Sequence, residues 1–198
     1  MPTTNKSAVE QPYKVHHPAM LTPLIDPVIS TLINKLPNKL TELVGQQGSP
    51  LNLVWPHAFE LNTQALLNVL KQYQVPHAIF YGAKANKSQG MLGAAANSGI
   101  GVDVSSIHEL NAALRAGVPG TRICATGPAK TAVFHQALIS AGSLICVDSL
   151  EEFDHLHSVI PTQPGPTKTR VLLRYRPKSS QKSRFGMGSQ DLLQCLQR

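Results

Sequence analysis

From residue 77 to residue 174 one grammar repeats along the chain. A short apolar run ends in a polar or glycine residue, a helical stretch follows, and a glycine often closes it. HAIFYGA (77–83) ends at Lys84, with a helix from about Ser88 to Gly99; IGV ends at Asp103, with a helix from Ser106 to Gly117. RICAT ends at Gly127, with a helix from about Thr131 to Gly142; LICV ends at Asp148, with a helix opening at Ser149; VLLRY carries Arg174 near its end. Such short apolar runs between turn residues read as buried strands. Ser106 with Glu109, and Ser149 with Glu152, have the capping-box spacing, in which a serine and a glutamate satisfy free amides of a first helical turn. Glycine after the last turn supplies the left-handed stop.

Strand–helix alternation with short connections implies an α/β fold with a parallel sheet, because parallel neighbours need a crossover. The unit recurs about every 20–25 residues, compact for a βα unit. A (β/α)8 barrel and an open doubly wound sheet both fit. No GxGxxG follows the first strand, which disfavours a dinucleotide-binding sheet. In a barrel the chemistry gathers at the carboxyl ends of the strands. Lys84, Asp103, Gly127, Asp148 and Arg174 all lie at or near such ends. Five such strands are visible, whereas a closed barrel needs eight and typically about 250 residues.

Before this region, residues 1–20 read as a tail and 24–36 as a helix, with a second piece from Pro37 to about Val44. LNLVW (51–55) reads as a short strand. Residues 58–73 place Leu66, Val69, Leu70 and Tyr73 on one helical face. The expected division is a tail with a helical extension over 1–49 and a partial barrel over 50–198.

The chain has 198 residues, 42% apolar and 15% charged, which suits a domain with a core and excludes a disordered chain. No apolar run is long enough to span a membrane and no N-terminal stretch resembles a signal peptide, so a cytoplasmic location and no membrane partner are expected. Three cysteines, with no CxxC pair, argue against a disulfide framework or a zinc site. Cys124 and Cys146 sit in apolar runs and read as core residues. No metal site is expected: His16 and His17 lack metal spacing, and His155 and His157 read as surface residues of a helix. Net charge is +7, and the segment from Lys168 to Arg184 holds seven basic residues and no acidic one. A solvated basic face, a nucleic-acid surface and a site for a small anion are the three readings. Few aromatics and no nucleic-acid module argue against the second, so no nucleic-acid partner is expected.

A lysine at a partly buried strand end can have a lowered pKa, because burial disfavours its charged form. A neutral amine is a nucleophile whose common product with an aldehyde is a Schiff base. The plain alternative for Lys84 is an ammonium in water.

YGAKAN (81–86) resembles the Y-A-V-K-A-N motif of the fold-type III pyridoxal-phosphate decarboxylases, the ornithine/diaminopimelate/arginine decarboxylase family. The likeness continues in order. GIGVDVSSIHELNAALRAGVP (99–119) resembles G-F-D-V-A-S-x-x-E-L with its A-L-x-A-G continuation, and RICATGPAKT (122–131) resembles R-I-x-x-x-G-P-x-K. ICVDSLEEFDHL (145–156) resembles V-D-S-x-E-E-L, VLLRYRP (171–177) resembles L-R-x-x-P, and SRFGM (183–187) resembles S-K-F-G-I. The resemblance implies a TIM-like barrel of the alanine-racemase type, with pyridoxal 5'-phosphate as cofactor. It makes Lys84 the Schiff-base lysine and places Asp103 and Arg174 in the cofactor pocket. Glu109 matches a position near the cofactor ring, and it also completes a capping box. Asn86 is expected to shape the loop. Two departures stand out: the motif's valine is Gly82, which leaves room beside the lysine, and the lysine of S-K-F-G is Arg184.

The family's later segments have no counterpart here: the stacking histidine, the glycine-rich phosphate loops, the glutamate at the pyridine nitrogen and the C-terminal β-domain. The expectation is an N-terminal portion of the barrel, inactive alone, from a family whose full-length members are homodimers. A diamino or basic amino acid is the implied substrate, with a lean to diaminopimelate. An amino-acid racemase of the same fold type and a non-enzymatic pyridoxal-phosphate carrier are the alternatives.

Overall fold

The computed structural model describes residues 27–160, 168–180 and 182–197. The expected tail, the first residues of the expected 24–36 helix, and His16 and His17 lie outside them. The described residues fall into two compact units, one ending at Leu51 and one beginning at Asn52.

The first unit contains α1 (Pro27–Lys35) and α2 (Pro37–Gln47), packed on each other. Proline opens both, where its fixed φ suits a first turn and its missing N–H costs nothing. Neither helix buries a residue.

The second unit runs α3 (Pro56–Gln72), β1 (Phe80–Gly82), α4 (Gln89–Asn97), β2 (Gly101–Val104), α5 (Ile107–Arg115), β3 (Ile123–Ala125), α6 (Ala132–Ala141), β4 (Leu144–Val147), α7 (Leu150–Val159), β5 (Arg170–Leu173) and α8 (Ser189–Gln197). All five strands are parallel and lie in the order β1-β2-β3-β4-β5. A doubly wound sheet reverses its strand order partway. This unreversed order is that of a barrel wall, which decides between the two architectures left open by the sequence. Val102, Val104, Ile123, Ala125, Ile145 and Val147 form the helix-facing side of the sheet, fully buried in one core with Leu92, Leu110, Leu138 and Leu156 of the helices.

The predicted stops hold. Gly99, Gly117 and Gly142 have φ of +73°, +88° and +68°. Ser106 Oγ accepts from the Glu109 N–H at 3.3 Å, Ser149 Oγ from the Glu152 N–H at 3.1 Å, and Thr131 Oγ1 from the Phe134 N–H at 3.3 Å. The glutamate half of the capping box differs. Each carboxylate reaches one residue further back than the motif requires: Glu109 accepts from Ser105 N–H and Glu152 from Asp148 N–H, both at 2.8 Å.

Two readings of the sequence are corrected. LNLVW is not a strand: it lies between Pro50 and Pro56, pairs with nothing among the described residues, and exposes Leu53, Val54 and Trp55. On α3 the inward stripe is the buried Thr63 with the half-buried Phe59, Leu67 and Leu70, while Leu66, Val69 and Tyr73 are 48%, 50% and 70% exposed. Two faces of this helix are apolar enough to dock, and periodicity alone does not choose between them.

Candidate active site

Strand parity builds the site. Side chains alternate across a sheet. The register aligns Gly82 with Asp103, Asp103 with Cys124, Cys124 with Leu144 and Leu144 with Arg170. Counting by twos toward the carboxyl ends puts Lys84, Asp103, Thr126, Asp148 and Arg174 on the face away from the helices. A cleft of about 530 Å³ opens there, lined by Lys84, Asp103, Ser105, Glu109, Gly127, Phe185 and Arg174 among others. The four residues expected to carry the chemistry, Lys84, Asp103, Glu109 and Arg174, are thus brought to one cleft.

Lys84 stands two residues past β1, in a turn closed by Ala85 N–H donating to Gly82 O at 3.0 Å. It is exposed rather than partly buried, and no acceptor among the described residues engages its amine. The loop beyond it is fixed. Asn86 Oδ1 accepts from Ser88 N–H at 3.0 Å, and Asn86 O accepts from Tyr81 Oη–H at 2.8 Å, which is the loop-shaping role expected of Asn86. A Cβ built on Gly82 would meet nothing within 4 Å, so this departure does leave open space beside the lysine.

Asp103 accepts from Thr126 Oγ1 through both carboxylate oxygens at 2.8 Å. Burial pushes its carboxyl above the ordinary value, against the Thr126 hydrogen bond, which pulls it down. Glu109 is buried, and its Oε2 accepts from both the N–H and Oγ–H of Ser105, at 2.8 and 2.9 Å. It therefore fixes the β2–α5 loop while lining the cleft. Gly127 permits the next loop to press on that one, since a Cβ there would stand 3.1 Å from Ser105 O.

Arg174 Nη1 donates to Asp148 Oδ1 at 2.9 Å, and its guanidinium lies 4.7 Å from the centre of the Phe185 ring. Arg184 lies 4.9 Å from the same ring. The basic segment is thus only partly a solvated face: Arg170 donates to Thr121 O and Gly142 O, and Arg176 to Ser183 O.

Beneath the loops lies a buried network that sequence reasoning missed. Lys130 Nζ donates to Gly127 O, to Cys146 O at 2.7 Å and to Glu152 Oε1 at 2.6 Å. His135 Nε2 stands 3.3 Å from the same Glu152 oxygen. Burial alone would raise the Glu152 carboxyl, but the hydrogen bonds with His135 and Lys130 outweigh it and hold the group below its ordinary value. The signal available was Lys130 in the G-P-x-K stretch. Two lysines therefore border the site in opposite states: the Lys130 amine has three acceptors, and the Lys84 amine has none among the described residues.

The cysteines behave as core residues. Burial, reinforced by the Asp103 carboxylate, pushes the Cys124 thiol up to about 11, which makes it a poor nucleophile. Among the described residues no group of histidine, cysteine and carboxylate side chains could hold a metal ion, and no helix is long and apolar enough to cross a membrane. His155 and His157 are exposed, as expected.

The comparisons with known proteins point one way. The family model described as the pyridoxal-dependent decarboxylase, pyridoxal binding domain, matches residues 61–191. An uncharacterized protein, y4yA, of Sinorhizobium fredii is 50% identical over 159 residues, covering 80% of this chain and 34% of that protein. The diaminopimelate decarboxylase of Zymomonas mobilis is 28% identical over 176 residues, covering 80% of this chain and 40% of the relative. The chain thus spans well under half the length of these curated relatives. Among solved structures, the diaminopimelate decarboxylase of M. jannaschii in complex with L-lysine superposes with a TM-score of 0.68 at 22% identity, over 80% of this chain and 40% of that one. The lysine/ornithine decarboxylase of Vibrio vulnificus in complex with putrescine gives 0.63 at 20% identity, over 81% and 40%. The sheet and helices of the second unit are accordingly part of a decarboxylase-type (β/α) barrel, and with its pyridoxal binding domain over residues 61–191 the chain belongs to the family of pyridoxal-dependent decarboxylases.

Proposed function

We propose that this chain provides the cofactor-binding region of an amino-acid decarboxylase acting on a basic or diamino acid, with Lys84 as the residue that holds pyridoxal 5'-phosphate. The observation that carries this reading is an amine without an acceptor among the described residues, set on a cleft wall with a guanidinium and two carboxylates. The residues present fit the cofactor's chemistry: Lys84 offers the amine that its aldehyde needs, and Arg174 offers positive charge to an anionic group. When bound, the cofactor supplies an electron-withdrawing ring that takes up the electron pair left at Cα as CO2 departs.

The chain's own residues divide the remaining work. Asp103 and Glu109 put negative charge on one wall of the cleft, where a cationic ring nitrogen or a substrate ammonium is favoured. Their hydrogen bonds to Thr126 and Ser105 hold them in place. Phe185 gives the cleft an apolar wall on the Arg174 side. A diaminopimelate-like substrate is favoured because several curated relatives carry the name diaminopimelate decarboxylase. The 198-residue chain by itself is expected to turn over slowly, since β1 and β5 lack second partners among the described residues and Phe80 and Leu172 of the site-facing side are exposed.

The test is a reductive trap. The purified chain is mixed with pyridoxal 5'-phosphate, reduced with borohydride, digested and read by mass spectrometry. Modification concentrated on Lys84, lost in Lys84→Ala and absent from Lys130, is the expected result. Modification spread evenly over surface lysines would refute it.

A further inference from the structure

Asp148 stands at the end of β4 and is 6% exposed. Its two oxygens take different donors: Oδ1 accepts from Arg174 Nη1 at 2.9 Å, and Oδ2 accepts from the Gly186 N–H at 3.2 Å. Its own N–H donates to Glu152 Oε2 at 2.8 Å, so its backbone is held by the buried Lys130–Glu152 pair. Gly186 follows Phe185, whose ring meets the Arg174 guanidinium. One carboxylate therefore holds the guanidinium at its edge and anchors the loop that brings an aromatic ring to it.

We propose that Asp148 is a positioning residue which, together with Phe185, fixes the direction in which Arg174 presents its remaining N–H donors to the cleft. A guanidinium is a rigid planar fork, so gripping it at one edge and stacking a ring on it leaves little freedom of orientation. An arginine 39% exposed at its side chain would otherwise sample many rotamers and bind an anion only after giving up that freedom. The reading rests on the proposed role of Arg174 toward the cofactor, so one arm of the test needs no ligand.

That arm is 15N-edited NMR of the arginine side chains in the ligand-free full chain. Slow guanidinium rotation at Arg174, assigned by its loss in Arg174→Ala and averaged out in Asp148→Asn, is expected. Free rotation in the parent chain would overturn the proposal. The second arm is a double-mutant cycle on pyridoxal 5'-phosphate affinity, with thermal unfolding as the folding control. Asp148→Asn is expected to weaken binding about tenfold in the parent chain and to have no further effect in Arg174→Ala. An unchanged affinity, or the same loss in both backgrounds, would overturn it. If Asp148→Asn does not fold, Phe185→Leu takes its place: a loss that disappears in Arg174→Ala supports the proposal, and one that persists overturns it. If Arg174→Ala itself binds like the parent chain, the proposed role of Arg174 has failed, while the NMR arm still reads what Asp148 does.

Discussion

At the scale of single residues, the site is a matter of which polar groups are already spoken for. Among the described residues the Lys84 amine is not, and Asp103 is held by Thr126. In the folded chain burial holds the Asp103 carboxyl above its ordinary value, so compared with the unfolded chain the fold has a relative preference for the protonated form. That preference supports the fold in acid and is lost as pH rises through the raised value. Asp103→Asn keeps an oxygen for Thr126 to donate to and carries no charge. We expect it to raise the unfolding midpoint at neutral pH and to leave it nearly unchanged in acid. The gain is about a few tenths of a kcal/mol, because water screens the cleft side. A difference that does not vary with pH would refute this. Gly82 makes the complementary case: with nothing within 4 Å of a built Cβ, Gly82→Val should fold at least as stably, by up to about 1 kcal/mol from its better strand propensity. A lowered melting temperature would show that the space is already filled.

At the scale of elements, the loops after β3 and β4 are held by a buried ion pair rather than by apolar packing alone. Lys130→Met leaves Glu152 with an uncompensated carboxylate and two carbonyls without their donor, and is expected to cost about 3–5 kcal/mol. Lys130→Met with Glu152→Leu removes both charges and should recover part of that loss; chemical denaturation of the two variants checks the order. Glu152 also sets an acid limit. Its carboxyl is held below its ordinary value, so its stabilisation is present above that value and lost as pH falls through the lowered one. Glu152→Gln should flatten the acid limb of the stability curve. The caps were legible because serine, two spacer residues and glutamate is a local pattern. The extra step back by each glutamate was not, because it depends on how the strand end meets the helix.

At the scale of the whole second unit, five parallel strands in sequential order leave β2, β3 and β4 with two neighbours each and β1 and β5 with one among the described residues. Amide hydrogen exchange should follow that order, slowest at Val104, Cys124 and Ile145 and faster at the edge strands. Uniform protection across the sheet would mean that the edges are covered in solution.

The amino-acid sequence carries the strand–helix alternation from β1 to α7 and the strand-end placement of Lys84, Asp103 and Arg174, but neither the state of LNLVW, unpaired among the described residues, nor α8. The alternation and the placement are written in local periodicity, in turn residues and in an ordered run of motifs. Tertiary structure decided three other things: which face of α3 docks, which of two lysines keeps an amine without acceptors among the described residues, and that Glu109 fixes Ser105 rather than closing a capping box. The lysines differ through groups far apart in the chain, Lys130 with Cys146 and Glu152, and the Glu109–Ser105 bonds, though they span only four residues, depend on how the end of β2 meets α5. Local periodicity carries no information about such partners until the fold brings them together.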